Sequence, residues 1–172
     1  VQTPAGTFDF QEYLVRRRAQ DPVLGVLYAG IESARPAPGV LEAIHEASGI
    51  ILAPSNPIVS LGTILAVQGV REALRDTTAP VVAISPIIQG KTIKGPADKL
   101  MQGLGIEVSA YGVATCYRDF LHTLVIDTAD AGLREKIEAL GVRVLVTNTI
   151  MDSLEAKIAL AKETVNVVKG TS

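Results

Sequence analysis

The hydrophobic positions of this sequence repeat one local unit: a short apolar run, a polar or Gly/Pro turn, and a stretch with helical spacing. The apolar runs predict five strands, at residues 23–29, 49–53, 80–85, 121–127 and 142–147. The spacing predicts helices at residues 10–18, 40–47, from 62, 70–75, 96–104, 109–117, 130–140 and from 152. Apolar strands that alternate with helices indicate a parallel sheet covered on both faces. The predicted fold class is therefore α/β, three-layered and Rossmann-like.

Punctuating residues mark several predicted helix ends. Pro96 stands at the first position of one helix, and Asp130 is expected to cap the helix that follows the fourth strand. Asp152 and Glu155 form a D-x-x-E capping box for the last helix. The apolar positions that support this helix are Leu154, Ile158, Ala161, Val165 and Val168.

Composition narrows the class of protein. The chain has 172 residues, 48% of them apolar, which suits one domain with a core and is too short for two ordinary ones. With 16 basic and 18 acidic side chains, the net charge of −2 offers no basic face for nucleic acid. The single Cys116 excludes an intramolecular disulfide and a Cys-rich metal site, so a cytoplasmic setting is the expectation.

Residues 47–70 carry no charge and approach the length of a membrane span. Pro54, Asn56 and Pro57 interrupt this stretch and would leave unpaired polar groups in lipid. We therefore expect a strand, a loop and a helix there, and no membrane partner. The first seven residues lack the charged and apolar regions of a signal peptide, and we expect the chain to begin inside a longer protein.

In parallel sheets, ligands collect at the carboxyl ends of the strands. This rule selects four loops, at residues 54–60, 85–95, 127–130 and 147–152. In the first loop, Ser55, Asn56 and Ser60 supply neutral hydrogen-bonding groups that suit a phosphate or a nucleotide base. The alternative for this loop is a turn in which Asn56 and Ser60 cap helices.

The second loop places Lys91 and Lys94 near the start of a helix, whose free N–H groups favour an anion such as a diphosphate. Two solvated lysines on a surface loop are the alternative. At the later strand ends, Asp127 and Asn148 are expected to be free for other work, whereas Asp130 and Asp152 serve as caps.

Several familiar site motifs are missing from the sequence. It has no G-x-x-x-x-G-K-[ST], G-x-G-x-x-G or G-x-S-x-G, so P-loop, standard dinucleotide and α/β-hydrolase interpretations lack their defining loops. His45 and His122 have no metal ligand at suitable spacing, and both are expected to be structural.

Long runs of the chain nevertheless resemble one family. They read PSNPIVSLGTILAVQGVREAL, PVVAISPIIQGKTIKGPADKLM, GIEVSAYGVATCYRDFLHTLVID and VLVTNTIMDSLEAKIALA. Together with FQEYLVRRR near the start, they resemble the 2-phospho-L-lactate transferase (CofD) family of coenzyme F420 biosynthesis. The resemblance covers nearly the whole chain in order, with departures at Thr63, where Pro is expected, and at Asn148, where Asp is often expected.

The resemblance implies a magnesium-assisted transfer. The family takes a guanosine diphosphate-linked phospholactate or phosphoenolpyruvate, transfers the phospho-acid to the terminal hydroxyl of the deazaflavin Fo, and releases GMP. It also implies a homodimer. Family members begin with a Gly-rich, phosphate-binding half that has no counterpart here. We therefore expect one α/β domain over residues 1–172, the C-terminal part of a longer transferase, with the metal ligands outside it.

The resemblance also implies a nucleotide-binding set, with no catalytic residue assigned and no metal ligand. Its members are Ser55, Asn56, Pro57, Ser60, Ser85, Lys91, Lys94 and Asp98. For Asp98, which lies in a first helical turn, stabilisation of the helix dipole is a sufficient explanation. Alone, the segment is expected to bind guanine nucleotide weakly and to turn over nothing. A nucleotide-sugar-binding regulator from a related cell-wall-control family and an inactive truncated domain are the alternatives.

Overall fold

A computed structural model describes residues 1–170 of the chain. Its strands within those residues are β1 (Gln2–Thr3), β2 (Gly6–Thr7), β3 (Ile50–Leu52), β4 (Val81–Ile84), β5 (Ile87–Ile88), β6 (Lys91–Thr92), β7 (Thr123–Asp127) and β8 (Arg143–Thr147). Strands β3, β4, β7 and β8 form one parallel sheet in that order. The pairs β1–β2 and β5–β6 are small antiparallel hairpins. The parallel sheet between helices confirms the predicted α/β, Rossmann-like class.

The strand predicted at residues 23–29 is wrong. This segment only bridges the N-terminus: the Gln2 N–H donates to the Gly25 carbonyl, and the Leu24 N–H donates to the Gln2 carbonyl, each at 2.8 Å. Leu24 and Leu27 are 64% and 63% exposed. Within residues 1–170, the apolar run pairs only with β1 through this bridge and lies outside the parallel sheet, which has four of the five predicted strands.

The α-helices are α1 (Val40–Glu46), α2 (Leu61–Leu65), α3 (Val70–Asp76), α4 (Ala97–Gly103), α5 (Ala110–Tyr117), α6 (Arg134–Glu138) and α7 (Leu154–Lys169). The helix predicted at 10–18 is mainly a π-helical turn, Glu12–Arg16, and the one predicted at 130–140 begins as a 3₁₀ helix, Thr128–Leu133, before α6. Pro96 lies just before α4 instead of at its first position. Among residues 1–170, the helices are too short or too polar to cross a membrane.

Two predicted caps are also wrong. Ser153, not Asp152, is the N-cap of α7, because its hydroxyl accepts a hydrogen bond from the Ala156 N–H at 3.1 Å. At the end of β7, Asp127 caps the 3₁₀ helix through the Ala129 N–H at 2.9 Å. Asp130 is buried and bonds elsewhere. Each loop contains more than one side chain that can cap a helix. Which of them does so depends on the residue at which the backbone becomes helical.

The sheet separates two layers of packing. Alternate residues of β4 and β7, such as Val81 and Leu124, face the larger core with α3, α4 and α5. The opposite face packs Val82 and Val125 against Leu160 of α7. Full burial of such side chains contributes roughly 1.5–3 kcal/mol each, which holds the carboxyl ends of the strands in one plane.

Candidate functional site

A cavity of about 510 Å³ opens at the carboxyl ends of the parallel strands. Pro54 lines it after β3, the loop from Ser85 to Lys94 lines it after β4, and residues 149–152 line it after β8. Three of the four loops that the strand-end rule selects thus contribute to one concave surface. The fourth, at residues 127–130, supports its wall.

Asp127 builds that wall from the end of β7. One carboxylate oxygen accepts from the Ala129 N–H at 2.9 Å, and the other accepts from the Thr149 N–H and hydroxyl at 2.9 and 3.1 Å. Burial raises the pKa of the Asp127 carboxyl, but the hydrogen bonds from Ala129 and Thr149 lower it more, so the net pKa is below the ordinary value. Asp127 is therefore a buried structural anion, and the prediction that it is free is wrong.

The 85–95 loop is shaped by its own hydrogen bonds. The buried Ser85 hydroxyl accepts from the Ile87 N–H at 3.2 Å and donates to the Ile87 carbonyl at 2.9 Å. Gln89 and Gly90 turn β5 into β6 with positive φ angles of 48° and 72°. Both carboxylate oxygens of Asp130 accept from the Gln89 N–H at 3.1 Å. Asp130 thus anchors the hairpin beside the cavity instead of capping a helix.

Charge at the cavity comes from one cation and one anion. Lys94 and Asp152 both line it and are exposed, and Lys94 takes part in no ion pair within residues 1–170. Lys91 is exposed on β6 and does not line the cavity. Asp98 also lies outside the lining, and its carboxylate accepts from the Lys99 N–H at 2.9 Å. Of the two lysines that were predicted to bind an anion, Lys94 lines the cavity and Lys91 does not.

The 54–60 loop lies next to the cavity through Pro54 alone. The other candidates of this loop, Ser55, Asn56, Pro57 and Ser60, are not part of the lining. The Asn56 side-chain oxygen accepts from the Ile58 and Val59 N–H groups at 2.8 and 3.2 Å, which is a local turn. The Ser60 hydroxyl makes no capping hydrogen bond at the start of α2.

The Tyr28 side chain anchors the 54–60 loop through a hydrogen bond. Its hydroxyl donates to the Ile58 carbonyl at 2.7 Å. Gly62 permits this approach, because a Cβ there would lie 2.5 Å from the Tyr28 hydroxyl and 2.7 Å from the Pro57 carbonyl oxygen. The loop conformation therefore depends on contacts more than thirty positions apart in sequence.

The apolar part of the cavity lining was not predicted from the sequence. Ile88, Ile93, Ile150 and Met151 give the cavity its hydrophobic surface. All four lie in loops that the strand-end rule selects. They were not predicted because an apolar side chain in a loop has no hydrogen-bonding or charged group that would mark it as a ligand contact. Asn148, expected to be free, accepts from the Ile150 N–H at 3.0 Å and shapes the turn that presents Ile150.

The described residues do not form a metal centre. Within residues 1–170, no three His, Cys, Asp or Glu side chains are close enough together to hold an ion. At the cavity, Asp127 and Asp130 are engaged by backbone N–H groups, which leaves Asp152 as the carboxylate that faces the space. These residues do not fit a Mg²⁺ site, and no step is assigned to a metal on this segment.

The fold is that of an α/β protein with a cavity at the carboxyl edge of a parallel sheet. The family model described as 2-phospho-L-lactate transferase CofD matches residues 1–167, and the chain belongs to this family. It is 42% identical over 161 residues to a phosphoenolpyruvate transferase of Streptomyces griseus, covering 93% of this chain and 51% of the relative. It is 41% identical to a 2-phospho-L-lactate transferase of Methanococcoides burtonii, covering 97% and 54%. The chain thus spans about half the length of these curated relatives.

Solved structures agree on the fold. A crystal structure of a protein from Bacillus halodurans superposes with a TM-score of 0.62 at 18% identity, covering 95% of this chain and 57% of that one. A second crystal structure, described as a member of the UPF0052 family from the same organism, gives a TM-score of 0.58 at 20% identity. At these identities, the similarity extends to the chain path and not to the ligand.

Proposed function

We propose that this segment supplies the nucleotide side of a family transferase. The whole enzyme would transfer a phospholactyl or phosphoenolpyruvyl group from a guanosine diphosphate-linked donor to the deazaflavin Fo and release GMP. The observation that carries the proposal is the strand-end cavity with Lys94, whose charge is not paired within residues 1–170. The relatives' names support the class of group transferred.

The cavity suits a diphosphate that carries a small acid. Lys94 supplies positive charge, and α7 begins at Leu154, two residues after the lining residue Asp152, so the partial positive charge of its N-terminus would add to that of Lys94. Ile93, Ile150 and Met151 give one wall an apolar surface, which would strengthen the interaction of a cation with phosphate oxygens where a ligand covers it. A site of this kind binds an anion without needing a second lysine.

In the proposed reaction, the oxygen of the Fo hydroxyl forms a bond to the phosphorus that carries the acid, the bond from that phosphorus to the bridging oxygen breaks, and GMP leaves with that oxygen while the hydroxyl proton passes to solvent. Negative charge accumulates on the departing GMP phosphate. Lys94 would neutralise this charge, which is the main protein contribution to phosphoryl-type transfer. A magnesium ion would supply further charge neutralisation and would take its ligands from residues outside this segment.

The candidate residues divide by position. Ser85 and Lys94 line the cavity and are assigned to the diphosphate. Ser55, Asn56, Pro57 and Ser60 are assigned to the nucleoside, because their loop continues directly from Pro54 at the cavity edge. The side-chain NH₂ of Asn56 remains available as a donor while its oxygen holds the turn. Lys91 and Asp98 lie outside the lining and receive no role in direct contact.

The test is calorimetric titration of the 172-residue chain with GDP. Lys94→Ala should weaken the affinity about tenfold, equivalent to about 1.4 kcal/mol, because Lys94 is the one cation among residues 1–170 that lines the cavity. Lys91→Ala in the same loop and Lys162→Ala on α7 are the controls and should change it less than twofold. Equal effects of Lys94→Ala and Lys91→Ala would refute the assignment.

A second measurement separates binding from turnover. The segment mixed with the guanosine diphosphate-linked donor and Fo should release no GMP, because it has half of the family length. Release of GMP by the segment alone would contradict this division of labour. Preference for uridine over guanine diphosphates in the same titration would favour a nucleotide-sugar-binding regulator instead.

A further inference from the structure

Helix α7 has two apolar faces, and the sheet buries one of them. Leu160 and Val167 pack on the sheet and are 3% and 9% exposed. Leu154, Ile158 and Val165 form a second stripe at helical spacing, and they are 65%, 44% and 37% exposed. The apolar part of the helix surface thus extends beyond the contact that the helix makes within residues 1–170.

The second stripe faces the β3 side of the sheet. Val168 continues it by one helical step, and Val168 lies so close to Gly49 that a side chain at position 49 would overlap it. Gly49 immediately precedes β3. The stripe therefore follows the border of the sheet and not the middle of its outer surface.

Strand β3 is itself open on this border. It pairs with β4 alone among the described strands, which leaves its other edge without a ladder. Ile51 shares the sheet face of its register partner Val82, yet Ile51 is 44% exposed while Val82 is fully buried. An open edge with an exposed apolar side chain is what natural parallel sheets cover.

We propose that these residues, the α7–β3 flank (Ile51, Leu154, Ile158 and Val165), dock the half of the family-length polypeptide that this segment does not span. The occupant would add a strand to the β3 edge and lay an apolar surface over the α7 stripe. The length of the relatives argues for this partner, since the chain covers 51% and 54% of two of them. The inference rests on family membership and goes beyond the proposed transfer, because it does not depend on which nucleotide or acid the cavity binds.

The experiment uses the unmatched half of the Streptomyces griseus relative, co-expressed with the tagged 172-residue chain. The two polypeptides should copurify. Ile158→Asp should weaken the association at least about tenfold, because it places a charge in an apolar contact. Ala159→Asp adds the same side chain at an exposed position of α7 that points away from the stripe and should leave binding unchanged. Circular dichroism shows whether both variants fold.

A covalent fusion of the same half to the chain gives a second readout that does not need association in trans. Amide hydrogen exchange at Ile51 should slow at least about tenfold in the fusion, because its backbone gains a strand neighbour. The same exchange in fusion and free chain would overturn the proposal. So would copurification that Ile158→Asp and Ala159→Asp affect equally, or a homodimer of the free chain that Ile158→Asp dissociates while the half shows no binding. GDP titration of each variant separates these failures from failure of the nucleotide site.

Discussion

Replacing Asp127 with Asn tests how the strand-end loops are held together. The buried carboxylate serves two sides: one oxygen accepts from Ala129 and the other accepts twice from Thr149. An Asn side chain has only one oxygen, so it can accept from either the Ala129 N–H or the Thr149 N–H. Its NH₂ group then faces the other backbone N–H, which is also a donor. With the amide oxygen toward Thr149 the Ala129 N–H loses its acceptor, and in the reverse orientation the Thr149 N–H loses its acceptor while the Thr149 hydroxyl can turn to accept from the NH₂ group.

The magnitude follows from these contacts. A hydrogen bond to a charged acceptor contributes about 1.5–3 kcal/mol, and an unpaired buried donor costs about 1–3 kcal/mol. Asp127→Asn should therefore lower the free energy of unfolding by about 2–4 kcal/mol at pH 7. Thr149→Val, which removes one hydroxyl donor and leaves the Thr149 N–H bond, is the milder comparison and should cost about 1–2 kcal/mol.

The pH dependence has a definite sign. Because the folded pKa of Asp127 is below its unfolded value of about 4, its contribution to stability is complete above the unfolded pKa. The contribution declines as the pH falls through the folded pKa. Urea unfolding at pH 7 and pH 3 should show a smaller loss of stability on acidification for Asp127→Asn than for the wild type. A variant within 0.5 kcal/mol (roughly the size of an ordinary surface substitution) of the wild type at pH 7, or with an unchanged pH dependence, would refute the reasoning.

Two further substitutions test packing and surface charge. Gly62→Ala should lower the thermal stability by about 1–3 kcal/mol, because its Cβ would overlap the Tyr28 hydroxyl and a backbone oxygen, whereas Gly132→Ala meets no atom within 4 Å and should be neutral in the same thermal scan. Arg71 forms a two-point ion pair with Asp119, so Arg71→Ala should cost about 1 kcal/mol, and a double-mutant cycle with Asp119→Ala in urea should show a coupling that salt reduces. A Gly62→Ala variant as stable as Gly132→Ala, or a coupling near zero, would contradict the respective contact.

The buried part of the fold was predictable because its signal is local. Strands β4 and β7 are runs of apolar residues buried on both faces, and such runs read directly as parallel strands. The run at 23–29 is also apolar, but within residues 1–170 it makes only a single bridge to Gln2 and does not join the sheet, and hydrophobicity carries no information on pairing partners. Asp152 and Ser153 can both cap a helix, and Ser153 does so because the backbone becomes helical at Leu154.

The site was predictable at the level of loops but not of side chains. The strand-end rule located residues 85–95 and 147–152 correctly on the cavity. Which lysine faces it depends on the turn at Gln89, a non-glycine residue with positive φ that the sequence does not mark. The bonds from Asp127 to Thr149 join positions 22 residues apart, so only the folded chain shows that this carboxylate is engaged.

The central claim is that the strand-end cavity holds the diphosphate of a guanosine nucleotide. Two-dimensional NMR of the ¹⁵N-labelled chain titrated with GDP tests it most directly, because each backbone amide reports its own surroundings. We expect the largest amide chemical-shift changes in the loop from Ser85 to Lys94 and at residues 149–152, with smaller changes at Ser55 and Asn56. Shifts confined to other surfaces, or none at GDP concentrations in the millimolar range, would contradict it.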